Sequence, residues 1–361
     1  MKKNEFTSDD MNDRTVVVFA GAGASKAVDP KIYPTTVEFF EQLPIEIKEN
    51  LLFNELLNFL KNQNETVSID IEQVLWHLQE FDKFCSVACD QGKLPGWMLT
   101  DHRLSKITKM ENHNLQLFKS QSNAALSMIR ELMDSINEQV YRFYSEEPNS
   151  IRLEKTWIPF LERLLTFDEN IENIEIVTTN YDLIIETALS KLNKSDLRNI
   201  DTGWRGKINR TLDTDLWAKE SNNNLLTKLH GSVNWSRNGK KIHIGDPFYK
   251  GSHNKHAIIY PGFKGRPDEA LFQAFHAHFA KSLERSIAIV FIGFAFRDEY
   301  INDLCDRYIR DDAPVIVIDP IEKIKLGFSH PTHNTIHINS GFDQNSSLRV
   351  LDAVNSMFPP Y

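Results

Sequence analysis

The sequence has few cysteines, no long apolar run and no signal for secretion. Its 361 residues include three cysteines, Cys85, Cys89 and Cys305, which are too few for a disulfide framework or a four-cysteine zinc site. The longest apolar stretch, 287–296, has about half of the roughly twenty residues that a membrane-spanning helix needs. The polar segment 1–14 lacks the apolar core of a signal peptide. We therefore expect a cytoplasmic protein without zinc and without a membrane anchor.

Positive charge is also in deficit. Lys and Arg number 41 against 50 Asp and Glu, so the formal net charge is −9 at pH 7. This balance argues against a wholly basic domain that coats nucleic acid, although it leaves local basic patches and direct nucleic-acid binding open. Apolar residues make up 41% and charged residues 25% of the chain, which are ordinary values for a globular protein. The length suggests about two domains at roughly 150 residues each.

Short apolar runs rich in β-branched residues alternate with helical patterns over much of the chain. Thr15–Ala20 and Ile287–Gly293 are continuous apolar runs, which are typical of strands buried on both faces of a parallel sheet. Further strands are predicted at 174–178, 225–229, 257–260, 315–319 and 335–339, with helices at 181–192, 268–283 and 299–309. The alternation predicts an α/β fold with a Rossmann-like parallel sheet and helices on both faces.

A long helical block interrupts this alternation. Apolar residues at three- and four-residue spacing, such as Ile71, Val74, Leu75 and Leu78, predict several amphipathic helices. We predict two domains: a Rossmann-like domain made of residues 14–36 and 173–361, and a helical inserted module at 37–172. The polar segment 193–224, rich in Asn and Asp, is predicted to be a loop.

A glycine turn follows the first predicted strand. In Gly21-Ala22-Gly23-Ala24-Ser25, the glycines would let the backbone approach a pyrophosphate, and the start of the next helix would offer N–H groups. The Ser25 hydroxyl is a further candidate donor. The turn lacks the third glycine of the full dinucleotide fingerprint, so a plain strand-to-helix turn is the alternative.

Two further strand ends carry groups suited to catalysis. Asn180, within Thr178–Asp182, is suited to holding a ribose hydroxyl or positioning a water, and the alternative is a helix cap. His230, between Leu229 and Gly231, follows an apolar strand and is suited to act as a general base near neutral pH. The alternative there is a structural histidine.

The last two predicted strand ends carry a glycine and an aspartate. Gly293 allows another close approach to a ligand, and Arg297 is suited to pairing with an anion. The alternative is a helix start with acidic residues at its positive end. Asp319 is suited either to accept from an adenosine hydroxyl or to cap the turn before Pro320.

In this order, the segments resemble the sirtuin family and its sirtuin-like relatives. Residues 21–25 match the Gly-Ala-Gly-x-Ser turn of that family, and 229–231 match the segment with its catalytic histidine. Residues 178–182 are similar to Thr-Gln-Asn-x-Asp, with Thr179 where Gln is usual. The segment from Gly293 is similar to the Gly-Thr-Ser segment, with Phe294-Ala295-Phe296 substituting after the glycine.

The resemblance implies a single site for NAD, which would be the substrate. By that resemblance, Asn180 and His230 are the catalytic residues, with Asn180 beside the nicotinamide ribose. The residues that the resemblance implies bind NAD are Ala22, Gly23 and Ser25 at the turn, Asp182 beside the ribose, and Gly293 and Asp319 near the adenosine half.

The departures from the family pattern bear on the reaction. The four-cysteine zinc module of the protein deacylases is absent, and the Thr-for-Gln change and lost Thr-Ser pair weaken a deacylase function. The remaining pattern resembles the bacterial sirtuin-like NAD hydrolases of anti-phage defence, which release nicotinamide and ADP-ribose. An NAD-dependent protein deacylase and a non-catalytic NAD or ADP-ribose sensor are the alternatives. The resemblance also implies a homo-oligomer, or control by a partner ATPase of the HerA-like DNA translocase type.

Overall fold

A computed structural model describes most of the chain. The described residues are 14–35, 38–63, 69, 71–89, 112–166, 171–192, 197–207, 210–218, 224–238, 241–245, 255–258, 267, 269–322 and 324–357. The expectation about secretion depends mainly on residues 1–13, which lie outside these ranges. Within them, no helix is both long enough and apolar enough to cross a bilayer.

The chain divides into two compact units. One unit comprises Met1–Thr35 and Tyr141–Tyr361, and the other is Thr36–Val140. The predicted helical module extended to residue 172, whereas residues 141–172 group with the unit that contains the sheets.

Strands form two sheets in the larger unit. The six-stranded sheet consists of β1 (Thr15–Ala20), β2 (Asn173–Thr178), β5 (Leu225–Lys228), β9 (Ser286–Ile292), β10 (Val315–Asp319) and β11 (Thr335–Asn339). The five-stranded sheet consists of β3 (Trp204–Arg205), β4 (Thr211–Leu212), β6 (Gly231–Asn238), β7 (Lys241–Ile244) and β8 (Lys255–Ile258).

Helices account for most of the remaining described residues. They are α1 (Ala22–Val28), α2 (Glu38–Gln42), α3 (Ile45–Lys48), α4 (Leu51–Gln63), α5 (Ile71–Cys89), α6 (Asn112–Tyr144), α7 (Ser150–Leu153), α8 (Trp157–Leu165), α9 (Ile184–Ser190), α10 (Ala270–Glu284), α11 (Glu299–Tyr308) and α12 (Gln344–Met357). Short 3₁₀ helices lie at Thr214–Leu216 and Thr332–Asn334. Within the helical module predicted at 37–172, the described residues form helices α2 to α8.

The six-stranded sheet is parallel throughout and has the strand order of a Rossmann fold. Its strands run β11-β10-β9-β1-β2-β5 across the sheet. Numbered along the chain among themselves, they stand in the order 6-5-4-1-2-3, which is the order that binds dinucleotides. The predicted fold class is confirmed.

Helices cover the sheet because its strands are apolar on both faces. Val17 and Phe19 of β1 belong to a buried cluster with Phe275 and Phe279 of α10 and with residues of α11. The alternate side chain Val18 is also fully buried, so β1 has no solvent face. Helix α8 contacts both α9 and α12.

The five-stranded antiparallel sheet was not predicted, and the loop prediction for 193–224 was wrong where β3 and β4 form. Those strands have two residues each, too short to give a visible alternation pattern. The hairpin of β6 and β7 had a stronger signal, because an Asn-Gly pair at 238–239 favours a tight hairpin turn. The edge-to-face pair Trp204 and Trp235, with ring centroids 5.7 Å apart, belongs to this sheet.

The ends of the parallel strands align at one edge of the sheet. The strand register pairs Ala20 with both Thr178 and Ile292, Thr178 with Lys228, and Ile292 with Ile318. Consequently the segments that follow β1, β2, β5, β9 and β10 all begin at this carboxyl edge. Chain direction across the sheet reverses between β1 and β9, which is where ligands bind in open α/β sheets.

Candidate active site

The turns after β1 and β9 interlock at the point where the strand order reverses. Gly23 donates its N–H to the Gly293 carbonyl at 2.9 Å, and Gly293 donates its N–H to the Ile318 carbonyl at 2.9 Å. Gly293 has φ +57°, and a Cβ there would lie 2.4 Å from the Ala24 nitrogen. A side chain is therefore excluded at Gly293 by both backbone conformation and space.

This contact uses one of the N–H groups of the glycine turn. The N–H of Gly23 bonds to the Gly293 carbonyl, and contact between Gly23 and NAD stays a prediction. Ala22 begins α1 and is half-buried, and the α1 amino terminus has no side-chain cap. The turn therefore lies at the expected edge, with one of its donors already used within the protein.

The Asn180 amide is held in one orientation. Its Nδ2 group donates to the Gly21 carbonyl and to the Ser25 hydroxyl, both at 2.8 Å. These bonds use both amide hydrogens, and the carbonyl acceptor excludes the flipped amide. Asn180 therefore presents Oδ1, a hydrogen-bond acceptor, as its remaining polar atom.

Ser25 and Asp182 continue this network beneath the strand ends. Ser25 donates its hydroxyl to Asp182 Oδ2 at 2.5 Å, and Asp182 Oδ1 accepts the Ile184 N–H at 3.0 Å. The Ser25 proton is thus used within the protein, and its donation to a ligand stays a prediction. Asp182 is buried and contacts Ser25, so the structure gives it a supporting position.

A buried lysine lies next to this carboxylate. Lys228 donates to the Asp182 carbonyl and, at 3.0 Å, to Glu186 Oε1. Burial raises the pKa of Asp182, while the Lys228 charge and the Ser25 hydrogen bond act in the opposite direction. No role was predicted for Lys228, which lies inside the predicted strand 225–229.

His230 lies in the short turn that joins the two sheets. Leu229 donates its N–H to the Thr178 carbonyl at 2.9 Å, and Val233 donates to the Tyr181 carbonyl at 3.0 Å, so the turn is tied to the segment after β2. Gly231 has φ +83° and lies against the Ala257 carbonyl, where no side chain fits. These contacts bring His230 to the segment that carries Asn180.

The imidazole of His230 is buried among rings and one carboxylate. Its ring centroid is 6.4 Å from that of Tyr181 and 6.3 Å from that of His276, with which it stacks. Its Nε2 lies 3.4 Å from Asp298 Oδ2, and its Nδ1 is buried without a hydrogen-bond partner among the described residues. Burial lowers the pKa of His276 to about 4, so this second ring is neutral at neutral pH.

Asp298 was missed as a site residue. The sequence reads it as an acidic residue at a helix start, and its Oδ1 does cap α11 by accepting the N–H groups of Tyr300 and Ile301 at 3.0 Å. Although burial alone would raise the pKa of Asp298, contact with His230 lowers it overall. The contact with His230 carries no local sequence signal, because the two residues follow different strands.

The remaining predicted residues lie at the same edge and have fewer contacts with the site residues described above. Asp319 accepts the Ile321 N–H at 2.8 Å, which is the turn-capping alternative, and burial raises its pKa. Phe294 packs on Phe19 with ring centroids 4.6 Å apart. Arg297 is exposed, and its pairing with an anion stays a prediction.

Metal ligands do not cluster in the part of the chain that the structure describes. There, no group of three or more His, Cys, Asp or Glu side chains could hold a metal ion. Cys85 and Cys305 are buried cysteines on different helices. The absence of zinc stays a prediction.

Comparison with known proteins bears on this edge of the sheet. Residues 174–323 match the family model described as the SIR2-like domain.

The matched range contains Asn180, Asp182, His230, Gly293 and Asp319. No curated protein matches the chain. Similar solved structures include a mutant Sir2 homologue in complex with 2′-O-acetyl ADP-ribose, at 12% identity and a TM-score of 0.44, with 97% of this chain and 96% of that chain covered. A complex of Sir2 with a p53 peptide and NAD⁺ is similar at 13% identity and a TM-score of 0.39, with 99% and 100% covered.

Proposed function

We propose that this chain is an NAD⁺ hydrolase that cleaves the nicotinamide–ribose bond to give nicotinamide and ADP-ribose. The observation that carries the proposal is the Asn180 amide, whose two hydrogens are used by Gly21 and Ser25 so that Oδ1 is left as an acceptor. An acceptor at the carboxyl edge is suited to orient a ribose hydroxyl or a water molecule. His230, tied to the same segment, is the nearby candidate base.

The residues at the strand ends fit a dinucleotide substrate. Gly293 and the turn from Gly21 meet where side chains have no room, so backbone lines the point at which the strand order reverses. That point is where dinucleotides bind in folds with this strand order. The orphaned Nδ1 of His230 is a further polar atom near the edge that lacks a partner among the described residues.

The reaction needs one bond to break and one to form. The bond between C1′ and the nicotinamide nitrogen breaks with its electron pair on nicotinamide, which leaves as a neutral base. A water oxygen then bonds to C1′. Asn180 would orient the ribose or the water, and His230 would accept the proton that the water loses and then release it to solvent. Fixed dipoles in a site shielded from water stabilise the charge that develops at the ribose.

Nicotinamide release from NAD⁺ tests this proposal. We expect release by the wild-type protein and a loss of about 10²- to 10⁴-fold in Asn180→Ala and in His230→Ala, since positioning and proton transfer contribute effects of that size. Ser190→Ala is the matched control, because it removes an exposed hydroxyl bonded only locally to the Thr187 carbonyl. The wild type should be assayed alone, with added DNA, and with a HerA-like ATPase.

The outcomes separate the alternatives. Absence of release under all of these conditions would contradict the hydrolase. Tight NAD⁺ binding without release would indicate a sensor instead. Release only in the presence of an acyl-lysine peptide, with loss of the acyl mass, would indicate a deacylase.

The biological role follows from the reaction and from the resemblance. Depletion of NAD would stop the metabolism of an infected cell, so we include anti-phage defence in the proposal, with a cytoplasmic location. Such an activity must be held inactive, and we propose control through a homo-oligomer or a HerA-like ATPase partner. Light scattering of the chain with and without that partner tests this part: a monomer at every concentration and no complex would contradict it.

A further inference from the structure

The carboxylate of Asp298 contacts two different parts of the molecule. Its Oδ1 accepts the N–H groups of Tyr300 and Ile301 and caps α11, whereas its Oδ2 lies 3.4 Å from His230 Nε2. The cap accounts for one oxygen only. The second oxygen is directed at the ring that the proposed reaction uses as a base.

A positive charge on His230 would be costly in its surroundings. The side chain is 3% exposed, and its Nδ1 has no hydrogen-bond partner among the described residues. A buried charge is stable only when it is paired. Any proton that His230 accepts therefore needs a nearby negative charge to balance it.

The charged and titratable groups around the ring make Asp298 that partner. Asp298 is the carboxylate in contact with Nε2, and contact with His230 keeps its pKa low despite burial. His276, on α10, stacks on the other side of the ring and has a pKa of about 4, so it adds no second positive charge at neutral pH. Tyr181 contributes its ring from the segment after β2.

We propose that Asp298 is the positioning residue for His230, holding the ring and balancing the charge that His230 gains when it takes a proton from water. This inference rests on the proposed hydrolase. The water O–H bond breaks as its oxygen bonds to C1′, the proton passes to His230, and the resulting imidazolium faces Asp298 Oδ2. Loss of that proton to solvent restores the neutral ring.

Asp298→Asn separates this role from the helix cap. Asn caps helices as well as Asp does, so Oδ1 would still accept from Tyr300 and Ile301. The side chain would then turn a neutral amide N–H toward His230 Nε2, which removes the charge and blocks that nitrogen. Asp303→Asn is the matched control: it makes the same charge change on α11, at a carboxylate that pairs with Arg307.

We expect Asp298→Asn to melt close to the Asp303→Asn control and to lose about tenfold or more in kcat, with little change in KM for NAD⁺. The acidic limb of its pH–rate profile should move to lower pH, because a carboxylate beside an imidazole favours the protonated ring. Asp298→Ser, which also keeps a helix-capping oxygen, should behave in the same way. Capping variants that fold and retain a wild-type kcat and pH profile would overturn the proposal.

A second measurement does not depend on turnover. In protein labelled with ¹⁵N-histidine, the His230 signal can be assigned by its loss in His230→Gln and followed through a pH titration. We expect its midpoint to fall in Asp298→Asn relative to Asp303→Asn, and equal midpoints would overturn the coupling between Asp298 and His230. If the wild type releases no nicotinamide but the His230 midpoint still falls in Asp298→Asn, the hydrolase is refuted and the coupling between Asp298 and His230 stands.

Discussion

Removal of the Ser25 hydroxyl tests the network that orients Asn180. In Ser25→Ala, Asp182 loses a hydrogen bond of 2.5 Å and one Asn180 amide hydrogen loses its acceptor. A hydrogen bond to a charged group contributes about 1.5–3 kcal/mol. Because Asn180 is half-buried, its freed N–H can bond to water and adds little to the cost. We therefore expect the free energy of unfolding to fall by about 1.5–3 kcal/mol.

Urea unfolding followed by tryptophan fluorescence measures this loss. The control, Ser190→Ala, removes a hydroxyl on an exposed helix end and should change the free energy of unfolding by about 0.5 kcal/mol or less. In an Asp182→Asn background, Ser25→Ala should cost only about 0.5–1.5 kcal/mol, since the lost hydrogen bond is then between neutral groups. Equal costs in both backgrounds would show that the Asp182 charge does not matter.

The same variant should lose activity. Without Ser25, one amide hydrogen of Asn180 is unbound and the side chain can rotate, so we expect nicotinamide release to fall about tenfold or more. A Ser25→Ala protein that is destabilised as expected but releases nicotinamide at the wild-type rate would refute the claim that this network orients Asn180.

Three further predictions follow from the same edge of the sheet. In Gly293→Ala the added Cβ meets Ala24 at positive φ, so the free energy of unfolding from urea titration should fall by at least about 2 kcal/mol and most nicotinamide release should be lost. Gly341→Ala is the control, because no atom lies within 4 Å of its new Cβ. Lys228→Met should cost about 3–5 kcal/mol in the same titration, because it leaves Asp182 buried without its lysine, and a cost below about 1 kcal/mol would contradict this. The pKa of His276 is lowered from 6.5 to about 4, so its neutral ring is compatible with the fold above pH 6.5, and the free energy of unfolding falls by about 3 kcal/mol as the pH falls through 4. The free energy of unfolding of His276→Phe should therefore fall less in acid than that of the wild type. An unchanged dependence on pH would contradict this.

The sequence was sufficient for the parallel sheet. Apolar runs such as 15–20 and 315–319 predict buried strands, and the β1 register with β2 and β9 follows once those strands align. Parallel alignment brings the residues after each strand to one edge of the sheet, and the family resemblance implies that Asn180, Ser25 and His230 share one site there. The local sequence pattern and the topology of α/β folds are therefore enough to predict the strands and the edge at which they end.

The contacts within the edge were beyond sequence reasoning. Ser25 and Asp182 are 157 positions apart, and their hydrogen bond depends on side-chain directions that no periodicity records. Asp298 satisfies the rules for a helix cap completely, so its contact with His230 leaves no trace in the sequence. The strands β3 and β4 were not predicted for a different reason, because a strand of two residues is too short to show an alternation of polar and apolar side chains.

The decisive measurement for the proposed hydrolase is the initial rate and stoichiometry of nicotinamide release by the wild type and by Asn180→Ala. We predict that the activated wild type forms nicotinamide and ADP-ribose in equal amounts and that Asn180→Ala, folded as judged by its melting curve, is slower by about 10²-fold or more. A folded Asn180→Ala protein that hydrolyses NAD⁺ at the wild-type rate would contradict it.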